Sequence, residues 1–147
     1  MTTVQCIQNE VPLGSTGTAS IDSLLIRVEK FVNQEPIKTR LATVLGAMPQ
    51  HVIRDLLGDT RFRIALDDFV PGRGRTVWLS CPEPGGRGSR CVVLKRRLGE
   101  CPEAFAHYVI AHELAHAYLH NGPWGAIEDP EQAADALASS WGFLWPT

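Results

Sequence analysis

The sequence predicts a single α+β domain, with helices first, a small sheet in the middle and two helices at the end. Three features of the pattern support this prediction. Apolar residues recur every three or four positions up to Leu57, alternate with polar residues from about Thr60, and return to helical spacing after Pro102. Of the 147 residues, 44% are hydrophobic and 20% are charged, and both values are typical of a globular domain.

The N-terminal part predicts an arm followed by three helices. Residues 1–19 are rich in Gly, Ser and Thr, which is typical of a flexible arm or an added edge strand, and the domain proper is expected over residues 20–147. A helix-turn-helix unit within residues 41–57 is an alternative, but no basic recognition helix follows it. The predicted helices are Ile21–Val32, Ile37–Met48 and His51–Leu57, and the second turns Leu41, Val44 and Leu45 inward.

From Thr60 the chain predicts a small, mainly antiparallel sheet of three strands packed on helices. The first stretch alternates charged and apolar residues, as a half-buried strand does, and two later stretches are rich in β-branched and apolar residues. Loops that contain Pro and Gly separate the three stretches. The predicted strands are Arg61–Leu66, Thr76–Cys81 and Cys91–Lys95.

The charges are unevenly distributed along the chain. Nine of the fourteen Lys and Arg residues lie between Arg61 and Arg97, whereas the last fifty residues carry seven acids. The basic middle region could face nucleic acid or an acidic partner, although a solvated sheet face explains it more simply. The pattern does not indicate an oligomeric state.

The sequence favours a cytoplasmic protein without a membrane segment. No apolar run approaches the roughly 18 residues of a membrane span, and the N-terminus lacks the basic and apolar segments of a secretory signal. The four cysteines form no C-x-x-C pair, so free thiols are expected in a reducing compartment. Cys81 and Cys91 flank a predicted loop and could pair only in an exported protein.

The stretch His112-Glu113-Leu114-Ala115-His116 matches the zinc-peptidase pattern H-E-x-x-H. Residues four apart on a helix share one face, so His112 and His116 can each direct a nitrogen to one metal ion. Glu113 lies about 100° further round the helix, where its carboxylate can reach a water molecule without binding the metal. In such sites the ion acidifies the water and the carboxylate takes its proton.

The helix that carries this motif is predicted to begin at Pro102 and to end at Asn121-Gly122-Pro123. Apolar residues occur on all sides of it, which is typical of a buried helix. Two imidazoles and a carboxylate buried there would be costly unless a partner satisfied them, and a metal ion is such a partner.

A third metal ligand is expected at the start of the next helix. Asp129 and Pro130 predict an N-cap and a first helical residue, which puts Glu131 in the first turn. Glu131 is therefore the favoured ligand. Glu128 in the preceding loop is the alternative, and stabilisation of the helix N-terminus is another explanation for an acid at position 131.

The last helix is suited to pack closely on the motif helix. On the side of Glu131 it carries small or acidic residues, namely Ala134, Asp135 and Ala138. Its large apolar residues are expected to lie in the core, and they are Leu137, Trp141 and Leu144.

Together the two helices resemble the gluzincin metallopeptidases, in which H-E-x-x-H is joined by E-x-x-x-D on the following helix. Here the second motif is Glu131-x-x-x-Asp135, and residues 131–138 are also similar to the corresponding helix of small regulator-cleaving peptidases of the ImmA/IrrE kind. The resemblance implies a minimal zincin-like domain that binds Zn²⁺ through His112, His116 and Glu131. Glu113 is then the general base, and Asp135 hydrogen-bonds a ligand histidine.

The function that this resemblance implies is zinc-dependent hydrolysis of a peptide or protein substrate. Zincins hold the substrate along an exposed strand above the metal helix, by main-chain hydrogen bonds. The matching residues here are Thr76, Val77, Trp78, Leu79, Ser80 and Cys81.

The chain also departs from the larger gluzincins. It lacks a separate domain with the His or Tyr that stabilises the oxyanion, and by helix phase His107 and Tyr118 point away from the ligands. His120, near the rim, is a speculative substitute. One alternative function is a regulatory or binding module whose metal site is structural or weakly active. A further alternative is that the basic region binds nucleic acid and the protease domain acts on a nucleic-acid-bound partner.

Overall fold

The computed structural model describes residues 28–29, 34–67 and 86–146. Four α-helices, one 3₁₀ helix and a small sheet form this part of the chain, so the predicted α+β class is confirmed. The elements are β1 (Val28–Glu29), α1 (Glu35–Ala47), α2 (Gln50–Leu57), β2 (Arg63–Asp67), β3 (Cys91–Lys95), the 3₁₀ helix (Arg96–Gly99), α3 (Glu103–Tyr118) and α4 (Pro130–Ser140). The predicted arm over residues 1–19 and the predicted strand Thr76–Cys81 lie outside the described residues.

The sheet is parallel, and the predicted antiparallel arrangement is wrong for the two pairings described. The strand order is β1-β2-β3, with Ile64 of β2 opposite Val28 on one side and Val92 on the other. Alternation of apolar and polar residues is the same in both arrangements, so the sequence pattern did not distinguish them. Parallel neighbours need a long connection, and residues 68–90 are numerous enough to supply one between β2 and β3.

The predicted helix Ile21–Val32 is wrong at Val28–Glu29, which form strand β1. The backbone of these two residues pairs with Ile64 and Ala65 of β2. A short apolar segment is compatible with a helix and with a strand, and pairing with a neighbouring strand decides between them.

Helices α1 and α2 bury their apolar stripes in one core, as their spacing predicted. On α1 the stripe includes the three residues that were expected to face inward, and all are fully buried. The buried residues of the two helices are Ile37, Leu41, Val44, Leu45, Val52, Ile53 and Leu56.

Hydrogen bonds join the 3₁₀ helix and the residues just before α3 to helix α1. Nη1 of Arg40 on α1 donates hydrogen bonds of 2.6 Å to the carbonyl oxygen of Leu98 and 2.9 Å to that of Cys101. A Cβ atom at Gly99 would lie 3.2 Å from Cγ1 of Ile37, so the turn approaches α1 closely. These contacts determine where α3 starts relative to the core.

One face of the sheet packs against α3. Ile64 and Leu66 of β2 are buried in the same core as Ile110 and Leu114 of α3. Ala65, between them, is buried on the opposite face of the sheet. Full burial of an aliphatic side chain is worth about 1.5–3 kcal/mol relative to exposure. The sheet thus supports the motif helix from its middle toward its C-terminal end.

Arg90, in the loop before β3, holds the end of α3. Its side chain is only 3% exposed, and it donates hydrogen bonds of 3.2 Å to the carbonyl oxygens of Ala117 and Tyr118. The same guanidinium forms ion pairs with Asp55 and Asp59. A buried charge needs such partners, and here they tie α3 to α2 and to the loop that follows α2.

Asn121 makes a second connection at this end of α3. Both His120 and Asn121 have left-handed backbone conformations, with φ of 55° and 57°, which ends the helix. Nδ2 of Asn121 donates to the carbonyl oxygens of Gly86 at 2.7 Å and Ser89 at 3.2 Å. The C-terminal end of α3 is therefore attached to residues 86–90.

Helix α4 begins as predicted, but its C-terminal end differs from the prediction. Asp129 is the N-cap, and Leu137 and Trp141 are buried as expected. Leu144, which was also expected in the core, is 67% exposed. The helix ends before Gly142, whose φ of 101° is left-handed, so helical spacing does not apply to Leu144.

None of the helices in the described part of the chain is both long and apolar enough to cross a membrane. The longest, α3, has 16 residues.

Candidate metal centre

Helices α3 and α4 pack side by side and bring the two motifs together. His112 and His116 lie one turn apart on α3, and Glu131 lies in the first turn of α4. On α4, Ala134 and Ala138 are fully buried. Because these side chains end at Cβ, they allow the close helix approach that the sequence predicted.

Three donor groups converge between the helices. Nε2 of His112 lies 3.2 Å from Nε2 of His116. Oε1 of Glu131 lies 3.1 Å from the first of these nitrogens, and Oε2 lies 3.1 Å from the second. The histidine side chains are 14% and 11% exposed and the glutamate is 73% exposed, so the site opens to solvent at its carboxylate.

Hydrogen bonds alone do not explain this arrangement. A neutral imidazole carries one proton. If the Nε2 atoms of His112 and His116 both carry their proton, the two N–H groups face each other. If one Nε2 atom is unprotonated, its lone pair faces an oxygen of the ionised Glu131. A cation between the three atoms removes both conflicts, because all three then direct lone pairs at it.

The spacing of the donor atoms fits a tetrahedral metal ion. Ligand atoms about 2.0–2.1 Å from tetrahedral zinc are about 3.3–3.4 Å apart. The two Nε2 atoms are 3.2 Å apart, and each lies 3.1 Å from one carboxylate oxygen of Glu131, Oε1 for His112 and Oε2 for His116. Two imidazoles and one carboxylate are also a donor set of zinc sites that keep a fourth position open. His112, His116 and Glu131 could therefore hold one metal ion, and Glu128 does not belong to this group.

The other ring nitrogens of the two histidines are buried without a hydrogen-bond partner. When Nε2 faces a metal, Nδ1 carries the proton and favours a nearby acceptor. Oδ1 of Asp135 lies 3.8 Å from Nδ1 of His112, which is longer than a hydrogen bond. Asp135 is therefore beside a candidate ligand histidine, but the predicted hydrogen bond between them is not formed.

Tyr108 completes this side of the site, although the sequence interpretation did not single it out. Its hydroxyl donates a hydrogen bond of 2.5 Å to Oδ1 of Asp135, and its ring centroid lies 5.8 Å from that of His112. Burial, followed by the hydrogen bond to Asp135, raises the pKa of Tyr108 to about 12. The available signal was its position four residues before His112, which puts both on one face of α3.

Two of the candidate ligands, His112 and Glu131, line one open cleft together with Glu113. His116, whose Nε2 lies 3.2 Å from that of His112, is not among its described lining residues. The volume of the cleft is about 430 Å³, within the range of ligand-binding pockets. The described residues that line it are Tyr108, Val109, His112, Glu113, Glu131, Gln132, Asp135 and Trp145.

The pKa values of the two glutamates shift in opposite directions. Burial raises the pKa of Glu113, and the charges of His116 and His112 only partly oppose this. Burial would also raise the pKa of Glu131, but hydrogen bonds and charges from the two histidines lower it below its usual value. Glu131 is thus suited to bind a cation, and Glu113 to accept and release a proton.

Other residues considered from the sequence lie away from this cleft. Tyr118 and His107 make ring contacts elsewhere, as their helix phase predicted. His120 lines a different, polar cleft together with Arg54 and Arg90. The proposed substrate strand Thr76–Cys81 is outside the described residues.

Part of the basic middle region lines a further cleft, and none of its described lining residues also lines the metal cleft. Arg61 donates hydrogen bonds of 3.0 and 2.8 Å to the two carboxylate oxygens of Asp59, and this contact holds the pKa of Asp59 well below its usual range. The described lining residues are Arg61, Arg63, Arg87, Gly88, Ser89, Arg90 and Cys91. Four of the nine basic residues of the middle region thus line this cleft, and two of them, Arg61 and Arg90, are paired with Asp59.

No protein-family model, no curated protein and no solved structure matches this chain. The resemblance to the gluzincins rests on the residues of α3 and α4.

Proposed function

We propose that this chain is a zinc-dependent metallopeptidase of the gluzincin kind, with a minimal zincin-like domain. The proposal is carried by one observation: the donor atoms of His112, His116 and Glu131 converge beside a cleft that His112, Glu131 and Glu113 line. A purely structural metal site has no use for a buried carboxylate that is not a ligand. The donor set, the open cleft and the raised pKa of Glu113 all support a hydrolytic role.

Each residue of the site has a role in this proposal. His112, His116 and Glu131 hold the ion, and a bound zinc ion supplies a Lewis acid that lowers the pKa of water. Glu113 takes the proton of the attacking water and passes it to the leaving amine. Its raised pKa favours this exchange, because the carboxyl group then gains and loses a proton more readily near neutral pH.

The substrate in this proposal is a peptide segment. The cleft is open to solvent along Glu131, which leaves room for a chain to enter and leave. A strand of this protein, Thr76–Cys81 in our sequence interpretation, would hold the peptide by main-chain hydrogen bonds.

The decisive experiment replaces Glu113 with glutamine, which keeps the shape of the side chain and removes its basicity. Cleavage of a peptide library by the zinc-loaded protein should fall by about 10²–10⁴-fold, the usual contribution of a general base. Zinc content, measured by elemental analysis, should not change. Glu128→Ala, at an exposed acid outside the described lining of the cleft, is the control and should cleave normally. Equal cleavage by wild type and Glu113→Gln would refute the proposal.

A second candidate function is a binding or regulatory module whose metal site is structural or weakly active. It is favoured by the lack of any Lys, Arg or further His among the described residues that line the cleft, and by the engagement of the Tyr108 hydroxyl with Asp135. The described lining of the cleft thus offers an oxyanion no cationic donor, only neutral ones such as the amide of Gln132 and the indole N–H of Trp145. Full zinc occupancy with no cleavage of any library peptide would support this candidate. DNA binding that weakens steeply with salt would add a nucleic-acid partner.

A further inference from the structure

We propose that Trp145, Tyr108 and Val109 form a subsite that binds one large apolar side chain of the peptide substrate, near the bond to be cleaved. This inference rests on the proposed peptidase function and adds the class of substrate. It concerns the side of the metal cleft formed by the chain that follows α4, where the sequence interpretation expected only core packing.

Exposed apolar side chains are concentrated at this place. Among the described residues, the large apolar side chains that are exposed are Trp124, Leu144 and Trp145. Leu144 and Trp145 are neighbours in the chain after α4, 67% and 61% exposed. Trp145 also lines the cleft, together with the candidate ligands His112 and Glu131. A scattered exposed residue needs no explanation, but an exposed indole inside a concave site indicates a ligand.

The indole of Trp145 is held in position although most of it is open to solvent. It packs edge-to-face against Phe105, with ring centroids 5.7 Å apart, and against Tyr108, with centroids 5.1 Å apart. Both contacts are close to perpendicular, at 85° and 86°. A fixed aromatic surface loses little conformational entropy when a ligand binds to it.

The distance from Trp145 to the metal ligands limits where the bound side chain lies in the substrate. The ring centroids of Trp145 and Tyr108 are 5.1 Å apart, and those of Tyr108 and His112 are 5.8 Å apart. The ring centroids of Trp145 and His112 are therefore at most about 11 Å apart. An extended peptide advances about 3.3–3.6 Å per residue. The side chain on Trp145 is therefore within about three residues of the cleaved bond.

The charge of the cleft selects against acidic side chains. Three carboxylates line it, those of Glu113, Glu131 and Asp135, and no Lys or Arg is among the described lining residues. The hydroxyl of Tyr108 is directed to Asp135, so Tyr108 offers its ring rather than a free donor to the substrate. An aromatic or large aliphatic side chain carries no negative charge and can pack against the ring of Tyr108, so it suits this part of the cleft.

A binding measurement tests the subsite independently of catalysis. N-acetyl-phenylalanine amide and N-acetyl-aspartate amide are titrated into ¹⁵N-labelled wild-type protein, with and without zinc. The indole N–H signal of Trp145, assigned with Trp145→Phe, should shift with the phenylalanine amide and not with the aspartate amide. The signal of Trp124 is the internal control and should not move. An unmoved Trp145 signal, or equal shifts with both amides, overturns the proposal.

Kinetics of cleavage test the same subsite in the working enzyme. For peptides with Phe or Leu within three residues of the cleaved bond, Trp145→Ala should raise KM on the order of tenfold, with kcat changed less. Trp124→Ala, which removes the other exposed tryptophan, should match wild type, and Trp145→Phe should retain the preference. Unchanged KM in Trp145→Ala refutes the subsite and leaves the peptidase proposal intact. If wild type cleaves nothing, the peptidase proposal fails and the amide titration alone decides the subsite.

Discussion

The hydroxyl of Tyr108 donates a hydrogen bond of 2.5 Å to Oδ1 of Asp135, and the same oxygen lies 3.8 Å from Nδ1 of His112. The pKa of Tyr108, raised to about 12 by burial and by Asp135, keeps this hydroxyl protonated at neutral pH. One polar contact thus joins α3 to α4 and keeps a carboxylate beside a candidate metal ligand.

The first prediction concerns this carboxylate. Asp135→Asn should weaken zinc affinity by less than the roughly 10–100-fold that loss of a hydrogen-bonded outer carboxylate costs, because Oδ1 lies 3.8 Å from Nδ1 of the candidate ligand His112 and acts on it through its charge. Tyr108→Phe keeps the ring contact with His112 and removes only the hydroxyl, so its effect should be smaller. Competition with a chromophoric chelator measures both affinities. Gln132→Ala is the control on the same helix, and an Asp135→Asn variant that matches it would contradict the prediction.

The second prediction concerns stabilisation by the metal. At zinc concentrations about 100-fold above Kd, binding should stabilise the folded state by about 2.7 kcal/mol, which corresponds to a rise in Tm of roughly 5–10 °C at this size. A chelator should reverse the rise. Glu131→Ala should lose most of it, because one of the three donor groups is removed.

Glu128→Ala is the matched control for this experiment. Glu128 is the other acid that the sequence left open as a ligand, and it lies outside the group that converges with the histidines. Its replacement should leave the rise in Tm unchanged. If Glu128→Ala lost the rise and Glu131→Ala kept it, the ligand assignment would be wrong.

The third prediction is a pH dependence that originates in Glu113. Burial raises its pKa in the folded state above the ordinary value of 4.5. At pH values between 4.5 and the raised pKa, the folded chain therefore binds a proton more readily than the unfolded chain. Stability of the metal-free protein therefore falls as pH rises through that interval. Glu113→Gln removes this loss. The variant should be more stable than wild type at pH 7 and closely matched at pH 4, as measured by urea unfolding after chelation. If the variant and wild type were equally stable at both pH values, the prediction would be wrong, because burial of this carboxylate would then cost no stability.

The fourth prediction concerns Arg90, which holds the C-terminal end of α3. Its side chain is 3% exposed and paired with Asp55 and Asp59, so Arg90→Met leaves these acids without the buried cation. We expect a loss of about 3 kcal/mol of unfolding free energy, since breaking a buried pair costs about 3–5 kcal/mol and Asp55 is partly solvated. Urea denaturation measures it. Arg87→Met is the control at an exposed position in the same loop, and a similar small effect in both variants would argue against the anchoring role.

Much of the candidate site was predictable because its signals are local. His112 and His116 are four residues apart on one helix, and that spacing alone puts them on one face. Glu131 followed from the cap signal of Asp129, which marks where α4 begins. Tyr108 could have been found by the same spacing, but only its contact with Asp135 shows its role.

Trp145 and Leu144 illustrate what local signals miss. Helical spacing assigned Leu144 to the core, yet α4 ends at Ser140 and Leu144 is exposed. No pattern indicated that Trp145 would reach the cleft, because its neighbours Phe105 and Tyr108 are distant in the sequence. Aromatic contacts of this kind depend on how two helices are arranged.

The sequence by itself determined the α+β class, the helices α1 to α4 within a few residues, and the histidines that share a face. It did so because helical spacing and helix caps depend on neighbours along the chain. Only the tertiary structure decided that the strands run parallel, that Val28–Glu29 form a strand, and that Glu131 meets both imidazoles. Those outcomes depend on contacts between segments far apart in the chain, which spacing within one segment does not encode.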